Sequence, residues 1–136
     1  MFFSYRDFTS GPDRVLEQLK FGRAHHRVIY FVGKRNNLTI KELLKILQIT
    51  KQSLSRVLNQ LVKDKYIILS TGEDKRTKKL TLSKKGYDLE KKLSNIQINK
   101  IYNVIKNFEE SDINGFKKVL YKMIDLNNQR KFDEIN

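Results

Sequence analysis

Gln52, Arg56, Asn59 and Lys63 stand four, three and four positions apart in the run Thr50–Tyr66. At about 100° per residue they cluster on one side of a helix, with Ser55 on the flank. Two carboxamides, a guanidinium, an ammonium and a hydroxyl on one face suit hydrogen bonding to base edges and phosphates. No acidic residue interrupts them before Asp64. Opposite them, Leu54, Val57, Leu58, Leu61 and Val62 follow i, i+3, i+4, i+7 and i+8, the stripe of a helix docked on a core. Taken alone, the same pattern also fits an amphipathic helix whose polar face is merely solvated. The segments on either side decide between the two.

A side chain can read a groove only if its helix is held at a fixed angle, and the preceding residues supply the hold. Thr39 and Glu42 stand in capping-box register, and Leu38 is placed to staple onto Leu43. That short helix ends near Leu47-Gln48. Thr50 then caps the polar-faced helix, with Ile49 and Leu54 repeating the staple. Two capped helices across a three-residue turn make a helix-turn-helix, with Lys51, Gln52 and Ser53 opening its second, recognition helix.

After Tyr66 the hydrophobic period changes from 3.6 to 2. Ile67–Ser70 and Lys79–Ser83 read as paired strands, and residues 71–78 as a basic hairpin tip. A hairpin directly behind a recognition helix is a wing. Arg76 suits insertion into a narrow minor groove, Asp74 can hold its guanidinium, and Lys75 and Lys78 add positive charge. A solvated charged loop is the alternative for this tip.

At the N-terminal side, Ser10-Gly11-Pro12-Asp13 reads as a break, with Ser10 or Asp13 capping the helix that follows and Gly22 interrupting it. A helix over about Arg23–Lys34 is expected to bury Ala24, Val28, Phe31 and Val32, closed by Asn36-Asn37. From a cap at Ser83, a long helix runs to about Phe108, and Ser111 or Asp112 opens a last one. The apolar stripes of these two helices are too long for a domain of this size to cover alone, which favours a homodimer over a monomeric bundle. Symmetry adds a reason, since two recognition helices about 34 Å apart read two half-sites on one face of a duplex.

The chain has 136 residues, enough for a substantial core, and carries 28 Lys and Arg against 15 Asp and Glu, a net charge of +13. That excess favours a polyanionic partner. Part of it is background, because 20 Lys, 13 Ile and 11 Asn indicate AT-rich coding. There is no cysteine, so disulfides, thiolate metal sites and cysteine-based sensing do not arise. His25 and His26 are adjacent and point about 100° apart on a helix, so packing or hydrogen bonding suits them better than a shared metal. No metal or cofactor is expected. With no apolar run of membrane-spanning length and no signal-peptide pattern, the expectation is a cytoplasmic protein. No phosphate-cradling glycine pattern, nucleophile elbow or acid-base pair supports an enzyme.

With these motifs in view, the chain resembles the MarR family of winged helix-turn-helix transcriptional regulators. The resemblance rests on Leu38-Thr39-x-x-Glu42-Leu43-x-x-Ile46-Leu47 and on Ile49-Thr50-x-x-Ser53-Leu54-Ser55-Arg56-x-Leu58-x-x-Leu61. It continues through Asp74-x-Arg76 and Leu80-Thr81-Leu82-Ser83-x-x-Gly86. It implies a mainly α (α+β) fold in which long terminal helices form an intertwined dimer. The single domain divides into an N-terminal dimerisation segment (1–22), a winged DNA-binding part (23–86) and C-terminal dimerisation helices (87–136). Family contacts carry over as Gln52, Ser53, Ser55 and Arg56, with Arg76 at the wing tip. The implied function is repression at a pseudo-palindromic operator, relieved by a small-molecule effector whose pocket lies where the terminal helices meet the winged part. One departure is expected: the first helix, cut off at Gly11-Pro12, is shorter than the family's. A weakly specific architectural DNA-binding protein and a protein-docking winged helix are the competing readings.

Overall fold

The structure, a computed structural model, describes residues 1–72 and 77–135. Its first helix, α1 (Phe2–Gln18), runs straight through Gly11-Pro12, so the expected break is absent. Proline in a helix interior forfeits one backbone hydrogen bond and crowds the carbonyl four residues back. Here tertiary packing outweighs that cost. Pro12 is fully buried, and a Cβ on Gly11 would lie 2.6 Å from Ile96 Cγ2, so the missing side chain lets two helices approach. In the preceding turn, the Thr9 hydroxyl donates to the Tyr5 or Arg6 carbonyl and Ser10 Oγ donates to Asp7 O. Neither Ser10 nor Asp13 caps a helix; the Asp13 carboxylate accepts from Nε and Nη2 of Arg23 instead, the shortest contact at 2.7 Å.

Gly22 does interrupt the chain and caps α2 (Arg23–Lys34). This helix buries Val28, Ile29 and Val32, whereas Ala24 is exposed and Phe31 half-buried, one step away from the expected stripe. A two-residue strand β1 (Leu38–Thr39) follows, too short to leave any periodicity. Next come α3 (Ile40–Leu47) and α4 (Lys51–Lys63), the expected helix-turn-helix. Strands β2 (Ile67–Thr71) and β3 (Lys78–Leu82) form the wing, and the antiparallel sheet has the order β1-β3-β2. Leu38 faces Leu80 and Ile67 faces Leu82 in its register.

The helices α5 (Lys84–Ile105), α6 (Glu110–Lys122) and α7 (Leu126–Ile135) complete the chain. The last segment expected as one helix is therefore two, broken at Met123–Asp125. The structure divides into two compact units, residues 1–97 and 98–136. Within the first lie all the core side chains, among them Leu16, Val28, Ile29, Leu43, Leu54, Leu61, Leu80 and Leu93. In the second, Gln129 Nε2 donates to the carbonyls of Ile124 (2.7 Å) and Tyr121, and Tyr121 Oη donates to Asp133 at 2.9 Å, folding α7 back on α6. Yet α6 buries no residue, and Phe116, Val119, Leu120 and Met123 lie exposed at i, i+3, i+4 and i+7.

Candidate nucleic-acid interface

The recognition helix is fixed at both ends by local chemistry. At its start, Thr50 Oγ1 accepts from Ser53 N at 3.2 Å and donates to Ser53 Oγ at 2.9 Å. The amides of Lys51 and Gln52 remain without helical acceptors at the positive end of the helix dipole, a setting that favours a phosphate. At its end, Lys65 takes a left-handed conformation (φ 62°), and Tyr66 N donates to Leu61 O at 2.8 Å and Lys65 N to Val62 O at 3.1 Å. This is a Schellman closure, in which the next apolar residue, here Tyr66, folds back onto the core. The end of α1 closes the same way, with Lys20 left-handed and Phe21 N bonded to Leu16 O at 2.8 Å.

Between these ends, Leu54, Val57, Leu58 and Leu61 are buried. Lys51, Gln52, Ser53, Ser55, Arg56, Asn59 and Lys63 are all exposed. Among the described residues, the side chains of Gln52, Arg56, Asn59 and Lys63 make no ion pair or side-chain hydrogen bond. The polar face foreseen from spacing is thus assembled with its donors and acceptors open.

Two further candidates are differently placed. Thr39 is half-buried, and its hydroxyl is committed to Glu42 Oε2 while Glu42 also accepts from Thr39 N at 2.9 Å. These hydrogen bonds hold the Glu42 carboxyl below its ordinary range, the side-chain bond from Thr39 first, with Arg35 at 3.7 Å assisting. At the base of the wing, exposed Lys78 reaches Thr71 Oγ1 at 3.3 Å, and Gly72 N donates to Thr77 O to narrow the hairpin. Asp74, Lys75 and Arg76 lie outside the described residues.

Charge follows the division into units. Residues 1–97 contain 21 Lys and Arg against 9 Asp and Glu; residues 98–136 contain 7 against 6. The basic excess therefore lies almost wholly in the unit that carries α4 and the wing, which argues against a uniform compositional background as its only source.

Sequence reasoning expected a pocket where the terminal helices meet the winged part but named no residue of the cleft found between α1, α2 and Gln97 of α5. About 230 Å³ in volume, it is lined by Tyr5, Phe8, Asp13, Arg23, His26, Tyr30 and their neighbours Thr9, Arg27, Phe31 and Gln97. The available signal was the i, i+4, i+7 spacing of Arg23, Arg27 and Tyr30, polar groups on a helix whose other face is core. Arg23 is held there by Asp13, by Thr9 Oγ1 at 3.0 Å and by the Tyr5 ring at 5.4 Å.

Burial pushes the His26 imidazole below its ordinary value, with Asp13 and Glu90 pulling weakly the other way. The unfolded chain takes up this proton near pH 6.5 and the folded chain only at lower pH. Stability fully present above pH 6.5 is therefore lost as pH falls toward the lower folded value. A urea midpoint that declines from pH 7.5 to 5.5 is the expected result, with a shallower decline in His26→Gln. Identical slopes for the two proteins would show that His26 does not carry this dependence.

A MarR-family model matches residues 19–77, from the end of α1 to the wing. Nearly the whole chain aligns with the HTH-type transcriptional regulator PetP of Rhodobacter capsulatus, at 42% identity over 126 residues, 92% of this chain and 76% of that protein. This chain belongs to the MarR family. It is accordingly a transcriptional regulator and not an enzyme.

Solved structures share the fold at lower identity. A MarR protein from Peptoclostridium difficile superposes with a TM-score of 0.76 at 19% identity, covering 98% of this chain and 88% of that one. A putative MarR-family regulator from Listeria monocytogenes, complexed with 26mer DNA, gives 0.75 at 21%, covering 89% and 81%. A MepR point mutant from Staphylococcus aureus bound to an oligodeoxyribonucleotide gives 0.66 at 22%, covering 89% and 90%. Among the described residues of this MarR-family chain, no helix is long and apolar enough to cross a membrane.

Proposed function

We propose that this MarR-family regulator acts in the cytoplasm as a homodimer on a pseudo-palindromic operator, each protomer laying α4 in a major groove and its wing along the adjacent minor groove. The single observation that carries this reading is the open polar face of α4, clamped at both ends and free of acidic neighbours on the helix. Gln52, Arg56 and Asn59 read base edges, with Ser55 beside them; Ser53, Lys51 and Lys63 hold phosphates. Thr50 and Thr39 contribute mainly by setting the helix starts. Lys78, with Asp74, Lys75 and Arg76, belongs to the wing contact.

The exposed apolar stripe of α6 and the exposed residues Ile98, Ile101, Tyr102 and Val104 of α5 support the second copy as partner. The near-neutral charge of residues 98–136 removes the repulsion that two highly basic surfaces would meet. In this reading residues 1–22 and 87–136 knit the dimer and 23–86 bind DNA. The cleft beside Arg23 and His26 is the place for a small-molecule effector, and repression is the expected sign of regulation.

Binding isotherms on operator and scrambled duplexes across a salt series test the reading. Affinity should fall steeply with salt while the operator keeps an advantage of roughly 10³ or more. Arg56→Ala should cost about 1–3 kcal/mol on operator and relax base preference at the contacted position. A ratio near one at every salt concentration would favour an architectural protein, and no binding even at low salt would leave a protein-docking module.

A further inference from the structure

His25 and Gln60 were not part of either the polar reading face or the core pattern, yet they join the N-terminus of α2 to the recognition helix. Gly22 N donates to His25 Nδ1 at 3.1 Å, and the other ring nitrogen, Nε2, lies 2.9 Å from Gln60 Oε1. Because a backbone N–H can only donate, Nδ1 must hold the lone pair and Nε2 the proton. Gln60 Oε1 then accepts from His25, which turns its amide nitrogen toward Lys20 O at 3.4 Å. Only one tautomer and one amide orientation satisfy all three contacts.

Aromatic packing secures the same joint. Phe21 stacks on the His25 ring at 4.7 Å and meets Tyr66 edge-on at 5.1 Å, and the Lys85 ammonium sits 4.1 Å from the Tyr66 ring centroid. Phe21 and Tyr66 are the residues that follow the two Schellman closures. The end of α1 and the end of α4 are therefore locked against each other, with the His25–Gln60 bond as the polar tie across the joint.

We propose that His25 and Gln60 are positioning residues for DNA recognition, holding α4 at the tilt in which Gln52, Arg56 and Asn59 meet base edges together. This rests on the operator-binding reading above. Direct readout needs several side chains in register at once, whereas phosphate attraction tolerates a tilted helix. Removing the tie should therefore injure specific binding and spare non-specific binding.

The test uses His25→Phe, which keeps the ring stack, Gln60→Leu, the double variant, and Gln60→Glu, which retains an acceptor for His25 Nε2. Each is titrated with operator and with scrambled duplex at low salt, and amide exchange is followed along α4. The two single variants should each lose roughly tenfold in operator affinity, the scale of one hydrogen bond. The double variant should lose no more than the worse single, and scrambled-duplex binding by the two single variants and the double should stay at the wild-type level. Gln60→Glu, which accepts from His25 but cannot donate to Lys20 O, should recover part of the operator preference over scrambled duplex. Faster exchange in the second half of α4 should accompany the loss. Single variants with wild-type operator affinity, additive losses, or equal losses on both duplexes would overturn the positioning role. Wild-type protein that binds neither duplex would instead overturn the operator reading, and unchanged amide exchange in the variants would overturn the tie itself.

Discussion

Gly86→Ala is expected to destabilise residues 1–97 by about 3 kcal/mol or more, at the upper end of what overpacking a core costs. A Cβ at this position in α5 would lie 2.0 Å from the Tyr66 carbonyl oxygen, far inside contact distance. Two groups of Ser83 prevent that carbonyl from moving away. It accepts from Ser83 N at 3.0 Å, and Ser83 Oγ lies 3.2 Å from it while also donating to Lys65 O at 2.6 Å. Ser83 Oγ further accepts from Gly86 N at 3.0 Å and so caps α5. One serine thus ties together the start of α5, the left-handed Lys65 and the end of the recognition helix. The added methyl has to break that knot or push α5 off the sheet. A thermal midpoint lower by about 10 °C or more is the result to look for by circular dichroism, on the scaling for a domain of this size. A midpoint within 2 °C or so of the wild type would show that α5 can retreat without cost.

If two copies pair through α6 as proposed, Leu120→Asp should leave a monomer at micromolar concentration and lower operator affinity by about 10²–10⁴-fold, the range that loss of a linked second binding event produces. Leu120 belongs to the stripe Phe116, Val119, Leu120 and Met123, which nothing in its own unit covers. A carboxylate placed in the middle of that apolar stripe would have to be desolvated for two copies to pair, and burying a charge is costly. Because α6 buries no residue, the substitution should leave the stability of the separate winged unit unchanged. Sedimentation velocity measures the first expectation and an operator isotherm the second. A dimer that persists with wild-type affinity would place the interface elsewhere.

Both predictions draw on features that differ in how visible they are along the chain. The motif Leu80-Thr81-Leu82-Ser83-x-x-Gly86 was evident as a family resemblance, but its reason, a carbonyl from a residue twenty positions earlier pressed against Gly86, is a contact between distant segments. The polar face of α4 was legible because every part of it is local. Thr39 with Glu42 and Thr50 with Ser53 satisfy helix amides within one turn, and the spacing of Gln52, Arg56, Asn59 and Lys63 against Leu54, Val57, Leu58 and Leu61 sets which side is wet. Local bonds and helical period need no knowledge of the remaining chain.

The errors share the opposite cause. Pro12 is a helix breaker by its own chemistry, and only the burial of its ring and the close approach of Ile96 to Gly11 carry α1 through it. Leu38–Thr39 becomes a strand because Leu80 and Lys79 are there to pair with it. Residue order along the chain thus determined the helix-turn-helix, the wing strands and the polar face of the recognition helix. Tertiary structure decided the unbroken first helix, the third strand, the cleft at Arg23 and His26, and the His25–Gln60 tie. Each of these depends on a partner at least ten positions away, whose energy outweighs the local preference and leaves no mark in the local pattern.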